Sequence, residues 1–203
     1  MPSLFWKTIS FVFHPLLLIT YAYLLLFYEF TYYKARFYEE TPGILVFYVF
    51  SNTFLLPSLA VLIMKKMGLI KTLTLDNRKE RTLPYFLTVI FCVVTTYHLY
   101  QSQLGDLSYR FMLGVSVTLL CVALINLQFK ISAHASGGGG LIALLFYFVF
   151  IGNDPNMVFW LVLSIPMMGL SAGSRVYLGV HTRPEIYYGF LLGFSVVFIS
   201  LAV

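Results

Sequence analysis

Long apolar runs limit this chain to folds that cross a membrane. A membrane-spanning helix needs about 20 apolar residues, and in hydrocarbon every backbone polar group must be bonded within the protein. Seven runs of about this length lie at residues 9–28, 43–64, 84–101, 108–129, 136–152, 156–173 and 186–203. Hydrophobic residues make up 60% of the 203 and charged residues only 10%, which excludes a soluble domain. The sequence predicts an all-α, polytopic membrane helical bundle.

We expect about seven spans, with six as the alternative, in a single membrane domain that covers 1–203. The fifth and sixth runs are short and are separated only by the polar stretch 153–156, which favours a tight helical hairpin. No small-residue cleavage site follows the first run, so we expect it to remain in the mature protein. Cys92 and Cys121 fall inside predicted spans, where free thiols pack as small apolar groups.

Lysine and arginine are distributed unevenly between the two faces of the predicted bundle. The loops 1–8, 65–83, 130–135 and 174–185 share the face that holds the N-terminus, which we call the N-terminal face. That face carries ten of the 13 basic residues, and the opposite face carries Lys34, Arg36 and Arg110. The positive-inside rule therefore predicts that the N-terminal face is cytoplasmic. The same asymmetry explains the net charge of +5, so we predict membrane lipids and not nucleic acid as partners.

Three polar clusters share the N-terminal face, at residues 71–85, 130–140 and 174–189. Ionisable groups are costly at membrane depth, so their convergence at span ends indicates a functional site. Arginine offers paired donors that fit phosphate, and lysine adds a point charge. Two histidines, His134 and His181, can divide the roles of nucleophile and general acid. These residue types predict a site for an anion, and phosphate fits them best.

The third cluster contains the pattern Ser174-Arg175-x5-His181-x3-Glu185. It resembles the third signature of the type 2 phosphatidic-acid phosphatase superfamily, Ser-Arg-x5-His-x3-Asp, with glutamate in place of aspartate. The resemblance covers about residues 65–200, and two predicted spans separate the second cluster from the third, as in that family.

The other two clusters are similar to the remaining signatures of the family. The sequence Ile-Ser-Ala-His at 131–134 corresponds to Pro-Ser-Gly-His, with Ile and Ala as departures. The first cluster, with Arg78, Arg81 and Pro84, is a loose version of Lys-x6-Arg-Pro. Lys71 stands seven residues before Arg78, but lysine then follows where the family has proline.

The resemblance implies a metal-independent membrane phosphatase of lipid phosphates or diphosphates, with no cofactor. His181 would attack phosphorus to form a phosphohistidine, Glu185 would orient its ring, and His134 would protonate the leaving oxygen. The implied phosphate-binding residues are Arg175, Arg81, Arg78, Lys71, Ser132 and Ser174. The implied partner is a lipid phosphate, and the implied location is the bacterial inner membrane, although bacterial members generally work on its outer face.

Several of these residues also have structural interpretations. The Thr-x-x-Glu pattern that ends at Glu185 is typical of a helix capping box. The run Gly137–Gly140 either opens a helix that offers its N–H groups to phosphate or forms a packing seam between helices. Arg183 marks a membrane boundary, and we expect His14 and His98 to be packing or hydrogen-bonding residues.

Two other functions stay open. The first cluster faintly resembles the Asp-Arg-x-x-Arg loops of membrane prenyltransferases, which hold magnesium diphosphate with paired aspartate-rich motifs. The three aspartates of this chain, Asp76, Asp106 and Asp154, lie in separate loops, which argues against a carboxylate metal site. The other alternative is a catalytically degenerate, phosphatase-like protein that binds or transports a lipid phosphate.

Overall fold

The protein is an all-helical bundle in a computed structural model that describes residues 2–36, 40–73, 78–102 and 105–203. The first half contains α1 Pro2–Val12, α2 Pro15–Tyr28, α3 Thr31–Arg36, α4 Glu40–Phe50 and α5 Leu56–Lys66, with a π-helical turn Ser51–Leu55 between the last two. The second half contains α6 Arg78–Gln101, α7 Asp106–Asn126, α8 Ala133–Phe150, α9 Asn156–Tyr177 and α10 Arg183–Ala202. The predicted all-α class is confirmed.

Among the residues that the structure describes, six helices are long and apolar enough to cross a membrane, and a bent pair of helices makes a seventh span if it crosses as one unit. The six are Pro42–Lys66, Arg78–Gln101, Asp106–Asn126, Ala133–Phe150, Asn156–Tyr177 and Arg183–Ala202. The bent pair is Ser3–Val12 with Pro15–Tyr28, whose axes differ by 52°. The predicted count of about seven, with six as the alternative, agrees with these helices. The predicted hairpin is also present, because α8 and α9 pack together across the short turn that joins them.

The first apolar run is not the uninterrupted helix that we expected over 9–28. Pro15 has no N–H to donate to the preceding turn, and a residue before proline is pushed out of the helical region. His14 accordingly has the extended angles φ −62° and ψ 135°. Its Nδ1 accepts a hydrogen bond from the Leu16 N–H at 3.4 Å and so caps α2. The chain therefore bends at 13–14 and lays α1 at an angle to α2.

Helix α8 occupies the centre of the bundle and packs against α2, α7, α9 and α10. Its closest neighbour is α10, and glycines make this approach possible. A β-carbon on Gly139 would overlap the carbonyl oxygen of Phe190, and one on Gly193 would lie 2.7 Å from the carbonyl carbon of Ser136. Since α8 begins at Ala133, the run Gly137–Gly140 lies inside the helix and not at its first N–H groups. The packing-seam alternative is therefore the correct one.

On the face opposite the N-terminal face, polar side chains hold α3 against the turn between α8 and α9. Asp154 accepts hydrogen bonds from the backbone N–H of Thr31 at 2.8 Å and of Asn156 at 3.0 Å. The Asn156 side chain also donates to the Thr31 hydroxyl at 3.1 Å. These contacts attach the short helix α3 to the turn between α8 and α9. The Asp154 carboxylate thus has a structural role in this turn. Asp76 lies outside the described residues.

Candidate functional site

The starts of α8 and α10 are joined at the N-terminal face by Ser132 and Glu185. The Ser132 N–H donates to the backbone carbonyl of Glu185 at 3.2 Å. The Ser132 hydroxyl caps α8 by accepting from the Ala135 N–H at 3.3 Å. A β-carbon on Gly189 would lie 2.7 Å from the carbonyl oxygen of Ser132, so α10 must carry glycine there. The second and third clusters therefore meet, as the sequence predicts.

His181 is buried in the turn between α9 and α10. Its Nδ1 lies 2.6 Å from Oε2 of Glu185. Thr182 occupies the cap position of α10, but its side chain makes no capping hydrogen bond. The Glu185 carboxylate is therefore directed to the imidazole and not into a capping box with Thr182. With a proton on Nδ1, the ring keeps a lone pair on Nε2 for attack or for accepting a proton.

The pKa of His181 is lowered to about 4, mainly because the side chain is buried away from water. The hydrogen bond to Glu185 acts in the opposite direction, while the positive charges of Arg81 and Arg175 lower the pKa again. His181 is therefore neutral at pH 7, which is the form that a nucleophilic imidazole requires.

His134 and Arg175 both form hydrogen bonds with Ser10 of α1, a residue that no sequence motif had indicated. Nε2 of His134 lies 3.1 Å from the Ser10 carbonyl oxygen. Because a carbonyl only accepts, this nitrogen carries the ring proton. The Arg175 guanidinium donates through Nη1 to the Ser10 hydroxyl at 2.6 Å. His134 also interacts electrostatically with Arg175 and His181, so the two histidines share one charged environment.

His14 is a second unexpected neighbour of the site. Its ring centroid lies 5.5 Å from that of His134, with the planes at 80°. The expectation that His14 packs and hydrogen-bonds is confirmed by this contact and by its capping of α2. The sequence signal for its position was Pro15, which forces the bend that brings α1 over the site.

Arg81 is buried, with 4% of its surface exposed, although it lies in the first turn of α6. It interacts electrostatically with His181 and hydrogen-bonds to Tyr85, one helical turn further along α6. Tyr85 also interacts with Arg175 and was not among the predicted site residues. We call His134, His181, Arg81 and Arg175 the histidine–arginine cluster.

Arg78 does not join this cluster through its described contacts. Its Nη1 donates to the carbonyl oxygen of Gln128. Its own carbonyl accepts from the Asn126 side chain at 3.1 Å. These bonds tie the start of α6 to the end of α7, which is a structural use of the guanidinium.

Lys71 and Ser174 also have structural contacts. Lys71 is exposed, and its N–H donates to Oε2 of Glu80 at 3.0 Å. Ser174 is fully buried, and its hydroxyl donates to the carbonyl of Ser171 within α9 at 2.6 Å. Neither contact reaches the histidine–arginine cluster.

An apolar groove of about 390 Å³ runs between α2, α8 and α9. Leucine, phenylalanine, tyrosine and methionine side chains line most of it, over 13–29 of the first span. On α8 its lining includes Leu141, two turns after His134, and on α9 it includes Met168, two turns before Arg175. On α8 and α9 the groove therefore starts about 10 Å, two helical turns, from the histidine–arginine cluster and runs away from the N-terminal face.

The predicted catalytic residues and two of the predicted arginines thus converge at the start of α10. This arrangement brings a neutral imidazole, a proton-bearing imidazole and two guanidinium groups together, with His181 and Arg81 buried and His134 and Arg175 half-buried. No family model, no curated protein and no solved structure matches the chain.

Proposed function

We propose that this protein is a membrane phosphatase that hydrolyses a lipid phosphate or a polyprenyl (di)phosphate through a phosphohistidine intermediate. The observation that carries the proposal is the contact between buried His181 and half-buried Glu185, whose Nδ1 and Oε2 atoms are 2.6 Å apart. An imidazole held by a carboxylate, neutral at pH 7 and beside two guanidinium groups, is suited to attack a phosphoryl group.

In the first step, Nε2 of His181 forms a bond to phosphorus while the bond from phosphorus to the lipid oxygen breaks. Arg81 and Arg175 stabilise the charge on the phosphoryl oxygens, and this electrostatic contribution is typically the largest in phosphoryl transfer. Throughout, Glu185 accepts a hydrogen bond from the Nδ1–H of His181, and its negative charge stabilises the positive charge that develops on the ring.

His134 protonates the lipid oxygen as it leaves. For this step it carries a proton on each ring nitrogen, and the dianionic phosphate supplies the negative charge that stabilises the imidazolium. The neutral His134 then removes a proton from water, whose oxygen attacks phosphorus and releases phosphate from His181. Each histidine returns to its starting state.

The apolar groove supports a lipid substrate. It follows the first span over 13–29, about 24 Å at 1.5 Å per residue. The hydrocarbon core of a bilayer is about 30 Å thick, so a chain in the groove crosses most of it. A phosphate at the histidine–arginine cluster would carry its acyl or prenyl chain directly into this groove.

One observation favours a second candidate, a phosphatase-like protein that binds or transports a lipid phosphate without hydrolysis. His134 and Arg175 already bond to Ser10, and both neighbours of Ser132 depart from the signature that the chain resembles. In this alternative the same arginines hold the phosphate, and His134 serves as a hydrogen-bond donor.

We also propose that the protein lies in the bacterial inner membrane with the histidine–arginine cluster toward the cytoplasm. The support is the excess of lysine and arginine on the N-terminal face.

A substrate panel tests the proposal. Purified protein is assayed for phosphate release from phosphatidate, polyprenyl phosphate and polyprenyl diphosphate, in detergent and in bilayers, with a chelator present. We expect release that His181→Ala abolishes and that His98→Ala retains, because His98 contacts Tyr48 on another part of the bundle.

The outcomes separate the two candidates. Saturable binding of a lipid phosphate without release would favour the non-catalytic protein. Release that persists in His181→Ala would contradict the phosphohistidine mechanism.

A further inference from the structure

Helix α1 covers the histidine–arginine cluster. Ser10, near its end, is buried with 7% exposure, and α1 packs along α9. One turn earlier in α1, the ring of Trp6 lies 5.2 Å from that of Tyr177 on α9. Leu4 and Phe11 are exposed, at 70% and 65%, which suits a helix that lies at the membrane surface.

The two oxygens of Ser10 occupy the donors that we assign to phosphate. The hydroxyl accepts from Nη1 of Arg175 at 2.6 Å, and the carbonyl accepts from Nε2 of His134 at 3.1 Å. These distances are those of charge-assisted and ordinary hydrogen bonds to a phosphate oxygen. A phosphoryl group and Ser10 cannot hold both donors at once.

The joint between α1 and α2 allows α1 to leave without unfolding its neighbour. Only residues 13–14 separate the two helices, and α2 has its own cap at His14 and its own Pro15 at the first turn. A few residues that absorb a change of backbone angle are sufficient for hinge motion. Helix α1 packs mainly against α9, with Ser10 also bonded to His134 of α8, while α2 is anchored in the bundle by α8 and α4.

We propose that α1 is a lid and that Ser10 competes with the phosphate of the substrate for Arg175 and His134. The proposal rests on the proposed function for the identity of the anion. A dianion binds a guanidinium more strongly than a neutral hydroxyl does, so the substrate displaces Ser10 and α1 swings away about residues 13–14. Ser10 is thereby a determinant of substrate affinity.

A reversible cross-link tests the lid. The double variant Trp6→Cys/Tyr177→Cys is oxidised to hold α1 on α9 and is then reduced. The matched control is Thr31→Cys/Asn156→Cys, which joins two elements already in contact on the opposite face. We expect oxidation to abolish phosphate release from lipid phosphate in the lid pair alone, and reduction to restore it. Full activity of the oxidised lid pair would overturn the proposal.

The rate of cross-linking provides a readout that does not depend on turnover. Inorganic phosphate should displace Ser10 and move α1 away from α9, so it should slow disulfide formation in the lid pair. The rate in the control pair should not change. If phosphate slows the reaction but no lipid phosphate is hydrolysed, the lid stands and the enzymatic function fails. If lipid phosphate is hydrolysed, but the oxidised lid pair keeps full activity and phosphate does not slow its disulfide formation, the lid fails and the function stands. An unchanged rate together with no hydrolysis overturns both.

Ser10→Ala adds a measurement on the native fold. Loss of a hydrogen bond to a charged group weakens the closed state, so we expect KM to fall by about tenfold with kcat little changed. A raised KM would contradict competition and would instead make Ser10 a substrate ligand.

Discussion

At the scale of single residues, the candidate site depends on the hydrogen-bond partner of each polar side chain. The Glu185 side chain could have capped α10, but it bonds to Nδ1 of His181 instead. Ser132 and Ser174, which could have faced a phosphate, use their hydroxyls within their own helices. The cationic and imidazole groups that we assign to an anion also have protein partners, since Arg175 and His134 bond to Ser10 and Arg81 bonds to Tyr85.

Glu185→Gln tests the orienting role of the carboxylate. The hydrogen bond that His181 donates to Glu185 raises the pKa of His181 against the effect of burial, so its loss lowers that pKa further. We expect phosphate release to drop by about 10²- to 10⁴-fold and its acid limb to move to lower pH. Glu80→Gln, which changes a carboxylate that contacts Lys71, serves as the control. A lower rate with an unmoved acid limb would contradict this role.

The stability of the protein should depend on pH through His181. Its pKa is about 4 in the folded protein and close to 6.5 when unfolded. Between these values the unfolded chain takes up a proton that the folded protein does not, so stability rises with pH. We expect the contribution to be complete above pH 6.5 and to be lost as the pH falls toward 4. Thermal unfolding in detergent from pH 4.5 to 7.5 measures it, and His181→Gln should flatten the slope.

The sequence indicated that Arg175, His181 and Glu185 lie close together, because they stand in or beside the one turn between α9 and α10. His134 belongs to another segment, and the expectation that it lies near them came from the shared N-terminal face. Ser10 could not be predicted, since its contacts depend on the direction that α1 takes after the bend. Tyr85 lies one turn from Arg81 in an apolar run, where tyrosine is ordinary. Contacts between helices that are distant along the chain do not produce a repeating pattern in the sequence, so the sequence does not predict them.

At the scale of helices, the seam between α8 and α10 holds the two histidine-bearing segments in place. The glycines at 137–140 were consistent with either packing or phosphate binding, because sequence alone did not show where the helix begins. Ser132 caps α8, so the helix begins at Ala133 and the glycines lie inside it, where they pack against neighbouring helices. Helix ends were otherwise predictable within four residues except at α6, which starts at Arg78, six residues before the predicted 84, with Pro84 inside it. The bend at His14 was missed despite Pro15.

Gly193→Ala tests the seam. Its added β-carbon meets the backbone of Ser136, which cannot yield as a side chain would, so α8 and α10 must separate. We expect destabilisation by about 1–3 kcal/mol and a lower thermal midpoint in detergent. Gly169→Ala in α9 is the matched control, because nothing lies within 4 Å of the added carbon. The control should be neutral or stabilising, and equal behaviour of the two variants would contradict the seam.

At the scale of the whole molecule, the bent pair decides the topology. With α1 and α2 as one span, seven crossings place the two ends of the 203-residue chain on opposite faces. If the pair enters and leaves by the same face, six crossings place both ends together. Apolar length predicted the helices themselves, but it cannot distinguish a bent span from a re-entrant segment.

Epitope tags at the two ends distinguish these topologies. In intact spheroplasts we expect an antibody to reach the C-terminal tag but not the N-terminal tag, because the N-terminal face is rich in lysine and arginine. Permeabilised cells, in which both tags must be reached, are the control. Equal access to both tags in intact spheroplasts would establish six crossings.

The groove between α2, α8 and α9 has a kinetic consequence. Leu24 and Tyr28, which line it, are 40% and 42% exposed, so the groove opens sideways into the hydrocarbon. A lipid that enters this way diffuses in two dimensions, and the quantity that saturates the protein is its mole fraction in the bilayer. Diluting the membrane with inert lipid would therefore slow the reaction, while diluting the vesicles with buffer would not.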